Sequence, residues 1–190
     1  MINLVLFGPP GAGKGTQSEY IIEKYDLVHL STGDIFRANI KGETALGNLA
    51  KSYIDKGQLV PDEVTISMLE SEVNKYQNPK GFIFDGFPRT TAQAEALDKF
   101  LTSKKMKISV MIALVVEENE LKTRLLERAK TSGRSDDADE NIIKNRIATY
   151  NAETAPVKDF YAAQDKLETI NGIGSKEEIF DSICGVLDKI

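Results

Sequence analysis

The 190-residue sequence holds one cysteine, one histidine and no tryptophan. A lone Cys184 cannot close an internal disulfide, which points to a reducing compartment, and it leaves no cysteine cluster for a structural zinc. Long hydrophobic runs are missing too. The longest, Val110 to Val116, falls far short of the roughly 20 residues that cross a bilayer. The opening stretch Met1-Ile2-Asn3-Leu4-Val5 has no basic n-region and runs into a glycine loop, so no signal peptide is expected and the cytoplasm is the expected address. Positive charge is in deficit, with 24 Lys and Arg against 29 Asp and Glu, which disfavours nucleic acid as a partner. Internal repeats, low-complexity stretches and proline-rich linkers are absent, so residues 1–190 read as one folding unit.

Short β-type runs alternate with longer polar stretches of helical period. The strand candidates are Ile2–Phe7, Leu27–Leu30, Gly81–Phe84, Ile108–Val116 and Leu167–Ile170. The first, third and fourth are almost continuously apolar, as strands covered on both faces must be. Helical spacing predicts Gln17–Tyr25, Thr65–Lys75, Thr91–Leu101, Asn119–Ala129, Glu140–Tyr150 and Lys176–Leu187. This alternation predicts an α/β fold: a doubly wound, five-stranded parallel sheet with helices on both faces and its ligand site beyond the strands' carboxyl ends.

Directly after the first strand stands Gly8-Pro9-Pro10-Gly11-Ala12-Gly13-Lys14-Gly15-Thr16. Glycines let backbone N–H groups curve round a phosphate, the next helix N-terminus adds its dipole, and Lys14 adds a full charge. The general phosphate loop has Ser or Thr right after the lysine; here Gly15 intervenes before Thr16. Asp85 ends the third apolar strand, where phosphate-loop proteins hold Mg²⁺ directly or through water. Two further segments, Ser31-Thr32-Gly33-Asp34-Ile35-Phe36-Arg37 and Asp85-Gly86-Phe87-Pro88-Arg89, follow the second and third strands. Each brings an arginine suited to bidentate capture of a phosphate.

In these motifs the chain resembles the adenylate kinase family of nucleoside-monophosphate kinases over essentially its whole length. Five motifs occur in the family's order: Gly-x-Pro-Gly-x-Gly-Lys-Gly-Thr-Gln, Ser-Thr-Gly-Asp, Lys-Gly-Gln-Leu-Val-Pro, Asp-Gly-Phe-Pro-Arg and Ser-Gly-Arg-x-Asp-Asp. Gly15 before Thr16 is the family's usual form.

The resemblance implies a P-loop NTPase-type fold with a small helical AMP-binding insertion at 31–60 and a short lid at 127–137. It implies reversible phosphoryl transfer, ATP + AMP = 2 ADP, with Mg²⁺ anchored through water by Thr16 and Asp85. ATP would meet Gly11, Ala12, Gly13, Lys14, Gly15, Thr16, Arg124, Arg128 and Gly174. AMP would meet Thr32, Arg37, Gln58, Leu59, Val60, Gly86, Phe87, Pro88, Arg89, Gln93, Arg134 and Arg146. Lys14, Arg89, Arg128, Arg134 and Arg146 would act on the transferring phosphoryl group, with the lid arginines closing over it. The longer, often zinc-binding lid of some relatives is absent, so no structural zinc is implied; a monomer is. Related UMP/CMP kinases carry Ser-Ala-Gly-Asp and an Asn in place of Thr32 and Gln93, so this chain has the adenine-type choices. A pyrimidine kinase and a non-catalytic adenine-nucleotide sensor are the alternative readings.

Other residues suit structural roles. His29 reads as a packed or edge residue, Cys184 as a small core hydrophobe, and Lys104, Lys105 and Lys107 as a solvated cluster. Glu117, Glu118 and Glu120 suit a helix start, where negative charge meets the positive dipole end.

Overall fold

The computed structural model describes residues 1–137 and 139–190. Five strands form one sheet: β1 (Ile2–Phe7), β2 (Val28–Ser31), β3 (Gly81–Asp85), β4 (Val110–Val115) and β5 (Leu167–Asn171). Their order is β2-β3-β1-β4-β5 and every pairing is parallel. Parallel neighbours need crossovers, and helices supply them. These are α1 (Lys14–Tyr25), α2 (Thr32–Lys41), α3 (Ala45–Ile54), α4 (Asp62–Val73), α5 (Thr91–Ser103), α6 (Glu118–Ser132), α7 (Glu140–Thr149), α8 (Val157–Ala162) and α9 (Lys176–Leu187).

Alternation along the strands divides the interior into two cores, as a period of two requires. Val5, Phe7, Phe82, Phe84, Met111 and Ala113 face α4, α5 and α8, where Leu69, Leu97, Leu101 and Tyr161 meet them. Leu4, Leu6, Ile83, Val110, Ile112 and Leu114 face α1, α6 and α9, with Ile21, Leu121 and Ile183. Such residues are 0–3% exposed, and each large side chain so buried stabilises the fold by about 1.5–3 kcal/mol. The chain runs out to β2, returns to β3 on one side of β1, then crosses to β4 on the other. That reversal opens a crevice at the carboxyl ends of β1 and β3.

The expected strands are present, with small differences. β4 begins at Val110 because Ile108 and Ser109 leave the ladder, although Ser109 still donates its N–H to the Asn3 carbonyl at 2.8 Å. α1 begins at Lys14, three residues before its apolar period, because Gly13 in a left-handed conformation (φ 94°) turns the chain into the helix. α4 likewise starts at Asp62, right after Pro61, with Asp62 and Glu63 against the positive dipole end. Between β2 and β3 lie α2 and α3, which pack Phe36 and Ala50 against Val60 and Met68. α7 runs into a π-helical turn at Tyr150–Thr154 that periodicity did not predict.

Candidate active site

The loop between β1 and α1 wraps around its own lysine. Lys14 Nζ donates to the carbonyls of Gly8 (2.9 Å) and Pro9 (3.2 Å), which fixes the ammonium above the loop. Removal from water lowers its pKa to about 8; Asp85 opposes that shift, and the charges of Arg89, Arg146 and Arg128 add to it. Lys14 therefore lies within electrostatic reach of arginines from three other segments.

The end of β3 builds the second wall. Thr32 Oγ1 and Arg89 Nε both donate to the Gly86 carbonyl, at 2.8 and 2.7 Å, joining the end of β2 to the loop after β3. The Phe87–Pro88 peptide in this loop is cis. Burial lowers the Arg89 pKa to about 10; Arg146 and Arg37 push the same way and Asp85 opposes. Arg37 is oriented by Asp34, whose Oδ1 accepts from it at 2.5 Å. Gln93 on α5 is 1% exposed. Its Oε1 accepts from the Arg89 backbone N–H at 2.7 Å, and its Nε2 donates to Asp62 Oδ1 at 2.8 Å.

One cavity is lined by Lys14, Thr32, Arg37, Gln58, Leu59, Val60, Gly86, Phe87, Pro88, Arg89, Gln93 and Arg146. Phe36 of the Ser31–Arg37 segment lines it as well, as do Tyr150 and Thr154, which had no motif to mark them. Tyr150 enters through the π-helical turn and sets its ring against Phe7 at 5.8 Å between centroids.

The arginines of the expected lid are held by acids. Arg128 donates through Nε and a terminal nitrogen to the two carboxylate oxygens of Asp137, at 2.6 and 2.9 Å. Arg146 donates to Asp137 Oδ1 at 2.5 Å and to the Asp136 carbonyl at 3.1 Å. The Asp137 carboxylate is fully enclosed. Burial alone would raise its pKa, but bonds and charge from Arg128, with Arg146, outweigh burial and hold it below the ordinary carboxylate range. Arg134 stands 4.0 Å from Asp34, between the lid and α2. Arg124 lies apart from this group. It bonds Glu120 at 2.7 Å and the Gly172 carbonyl at 3.1 Å, beside the turn that contains Gly174.

Asp85 is 8% exposed and meets His29 Nε2 at 3.3 Å; His29 is thus the edge residue expected, with Asp85 as its partner. A carboxylate at the end of β3 and the Thr16 hydroxyl in the first turn of α1 are hard oxygen donors of the kind Mg²⁺ takes. Among the described residues there is no cluster of three or more His, Cys, Asp or Glu side chains that could hold a metal. Nor is any helix among them long and apolar enough to cross a membrane.

A family model described as adenylate kinase matches residues 6–166. Among curated relatives, the chain is 59% identical to an adenylate kinase of Flavobacterium psychrophilum over the full length of both. It is 53% identical to one of Flavobacterium johnsoniae and 52% identical to one of Bacteroides fragilis, again over the full length of both.

Proposed function

The chain belongs to the adenylate kinase family, and from that premise we propose how its own residues carry out the transfer of a phosphoryl group from ATP to AMP. The observation that carries this reading is the convergence of Lys14, Arg89, Arg128 and Arg146, from four segments, on one crevice beside a pocket that Lys14, Arg89 and Arg146 help to line.

Phosphoryl transfer asks the protein for position and charge rather than covalent chemistry. The amides of Gly11 to Thr16 and the Lys14 ammonium bind the ATP phosphates. Arg124 and the turn at Gly174 flank the base of ATP. Arg37 and Arg89 hold the AMP phosphate, whose oxygen is already anionic and needs no general base. Thr32, Gln93 and the stretch Gln58-Leu59-Val60 enclose the adenosine. Arg128, Arg134 and Arg146 offset the charge on the group in transit; Asp136 and Asp137 hold Arg128 and Arg146 together, and Arg134 stands near Asp34. Bound Mg²⁺ neutralises charge on the ATP phosphates, and Thr16 with Asp85 would hold it. Closing of the 31–60 and 127–137 segments excludes water, which would otherwise accept the phosphoryl group. The chain acts as a cytoplasmic monomer in this reading.

The test is product formation from ATP and Mg²⁺ with AMP, UMP, CMP or GMP, alongside Arg89→Ala. ADP should form rapidly with AMP, stop on chelation, and fall by at least about 100-fold in the variant. Faster conversion of UMP or CMP would overturn the assignment of Thr32 and Gln93. Nucleotide binding with no transfer would leave a sensor.

A further inference from the structure

Asp62 has no motif to recommend it, yet it touches the polar floor of the pocket. It is the first residue of α4, and its Oδ1 accepts the 2.8 Å bond from Gln93 Nε2. Both its oxygens also lie 3.1 Å from Thr90 Oγ1, which donates to them. The Thr90 hydroxyl in turn accepts from the Gln93 backbone N–H at 3.2 Å, as the cap of α5. Three side chains thus tie the start of α4 to the start of α5.

The consequence lies in the polarity of an amide. The two ends of a glutamine amide have nearly the same shape and opposite hydrogen-bonding character, so a half-turn of the side chain exchanges them. A carboxylate only accepts. Asp62 therefore admits Nε2 and repels Oε1, while the Arg89 N–H imposes the same sense from the other end. These bonds use one of the two N–H groups and one of the two acceptor sites. They leave one donor beside one acceptor with their order fixed.

A 6-amino purine presents a ring-nitrogen acceptor at N1 beside an amino donor. A 6-oxo purine presents N1–H beside a carbonyl, which is the reverse. We infer that Asp62 is a positioning and specificity-determining residue: by fixing the sense of the Gln93 amide it selects 6-amino over 6-oxo purine monophosphates. This rests on the reading above of Gln93 as the contact for the AMP base.

The experiment uses the full chain, with AMP and IMP as acceptors, in Asp62→Ala, Gln93→Ala and the double variant. Asp62→Ala should raise KM for AMP about 5–10-fold, the loss of one hydrogen bond, with KM for ATP within about twofold. Its preference for AMP over IMP in kcat/KM should narrow by about tenfold. In the Gln93→Ala background, removing Asp62 should change neither quantity further. Asp62→Asn keeps one acceptor for Nε2 and should restore most of the affinity for AMP. If Asp62→Ala does not fold, Asp62→Ser serves in its place: serine suits a helix start, but its side chain is shorter by one carbon and one oxygen. Should Gln93→Ala leave KM for AMP unchanged, the base-contact reading itself falls. Should Gln93→Ala weaken AMP while Asp62→Ala leaves the AMP/IMP preference intact, Asp62 is only a helix end and the inference is overturned. Effects that multiply in the double variant would overturn it equally.

Discussion

Arg89 shares the Gly86 carbonyl with Thr32, so its guanidinium is oriented by the protein's own backbone. Lysine cannot anchor on that carbonyl and still present a fork to a phosphate. Arg89→Lys should therefore lower kcat by about 10²–10³-fold, roughly 3–4 kcal/mol, with little change in the thermal midpoint. Steady-state kinetics and calorimetry on the same samples check both halves. Asp137 makes the second prediction. A carboxyl held below its ordinary 3.8 favours the fold only when ionised. That contribution is complete above about pH 3.8 and disappears as the pH falls through the lower folded-state value. Asp137→Asn should thus be less stable at neutral pH, and its stability should fall less steeply on acidification. Denaturant titrations between about pH 7 and 2 give the two curves, and parallel acid limbs would count against the pairing.

The helices α2 and α3 touch through a glycine. A Cβ on Gly47 would lie 2.1 Å from the Asn39 carbonyl oxygen, so the two helices can approach this closely only without one. Gly47→Ala should cost about 1–3 kcal/mol of stability by forcing them apart. Because α2 begins with Thr32 and carries Arg37, the same variant should raise KM for AMP and spare KM for ATP. Equal changes in both constants would place the damage elsewhere. At the other end of the chain, Ser175 and Glu178 form a reciprocal capping box at the start of α9. Ser175→Ala should cost about 1 kcal/mol, read as a lower denaturant midpoint with unchanged slope.

Across the whole molecule the net charge is −5, yet six cations gather at one edge of the sheet. They repel one another, and Asp34, Asp85, Asp136 and Asp137 stand among them. In the function proposed above, a polyanionic substrate would relieve that repulsion and so draw the 31–60 and 127–137 segments closed round it. Labels at Ser52 on α3 and Thr131 on α6, both exposed, in a Cys184→Ser background should approach each other when ATP and AMP bind together. A separation that does not change would rule closure out.

How much of this was legible beforehand depends on the range of the forces involved. Parallel strands covered on both faces leave unbroken apolar runs, and a phosphate loop needs glycines and a lysine at set spacing. The sequence by itself therefore determined the five strands, the nucleotide loop and the family. Residues with local signatures, such as Lys14, Thr32, Arg37 and Arg89, stood out for the same reason. Tyr150 and Asp62 carried no such mark, because their partners lie on other elements or beyond a π-helical turn whose extra residue no periodicity announces. Asp137, though it closes the Ser-Gly-Arg-x-Asp-Asp motif, gave no sign of which arginines it would meet. Only the tertiary structure decided that Asp137 gathers two arginines and that Asp62 orients a glutamine. A hydrogen bond between distant residues depends on where the packed cores place two helix ends, and spacing along the chain does not encode that.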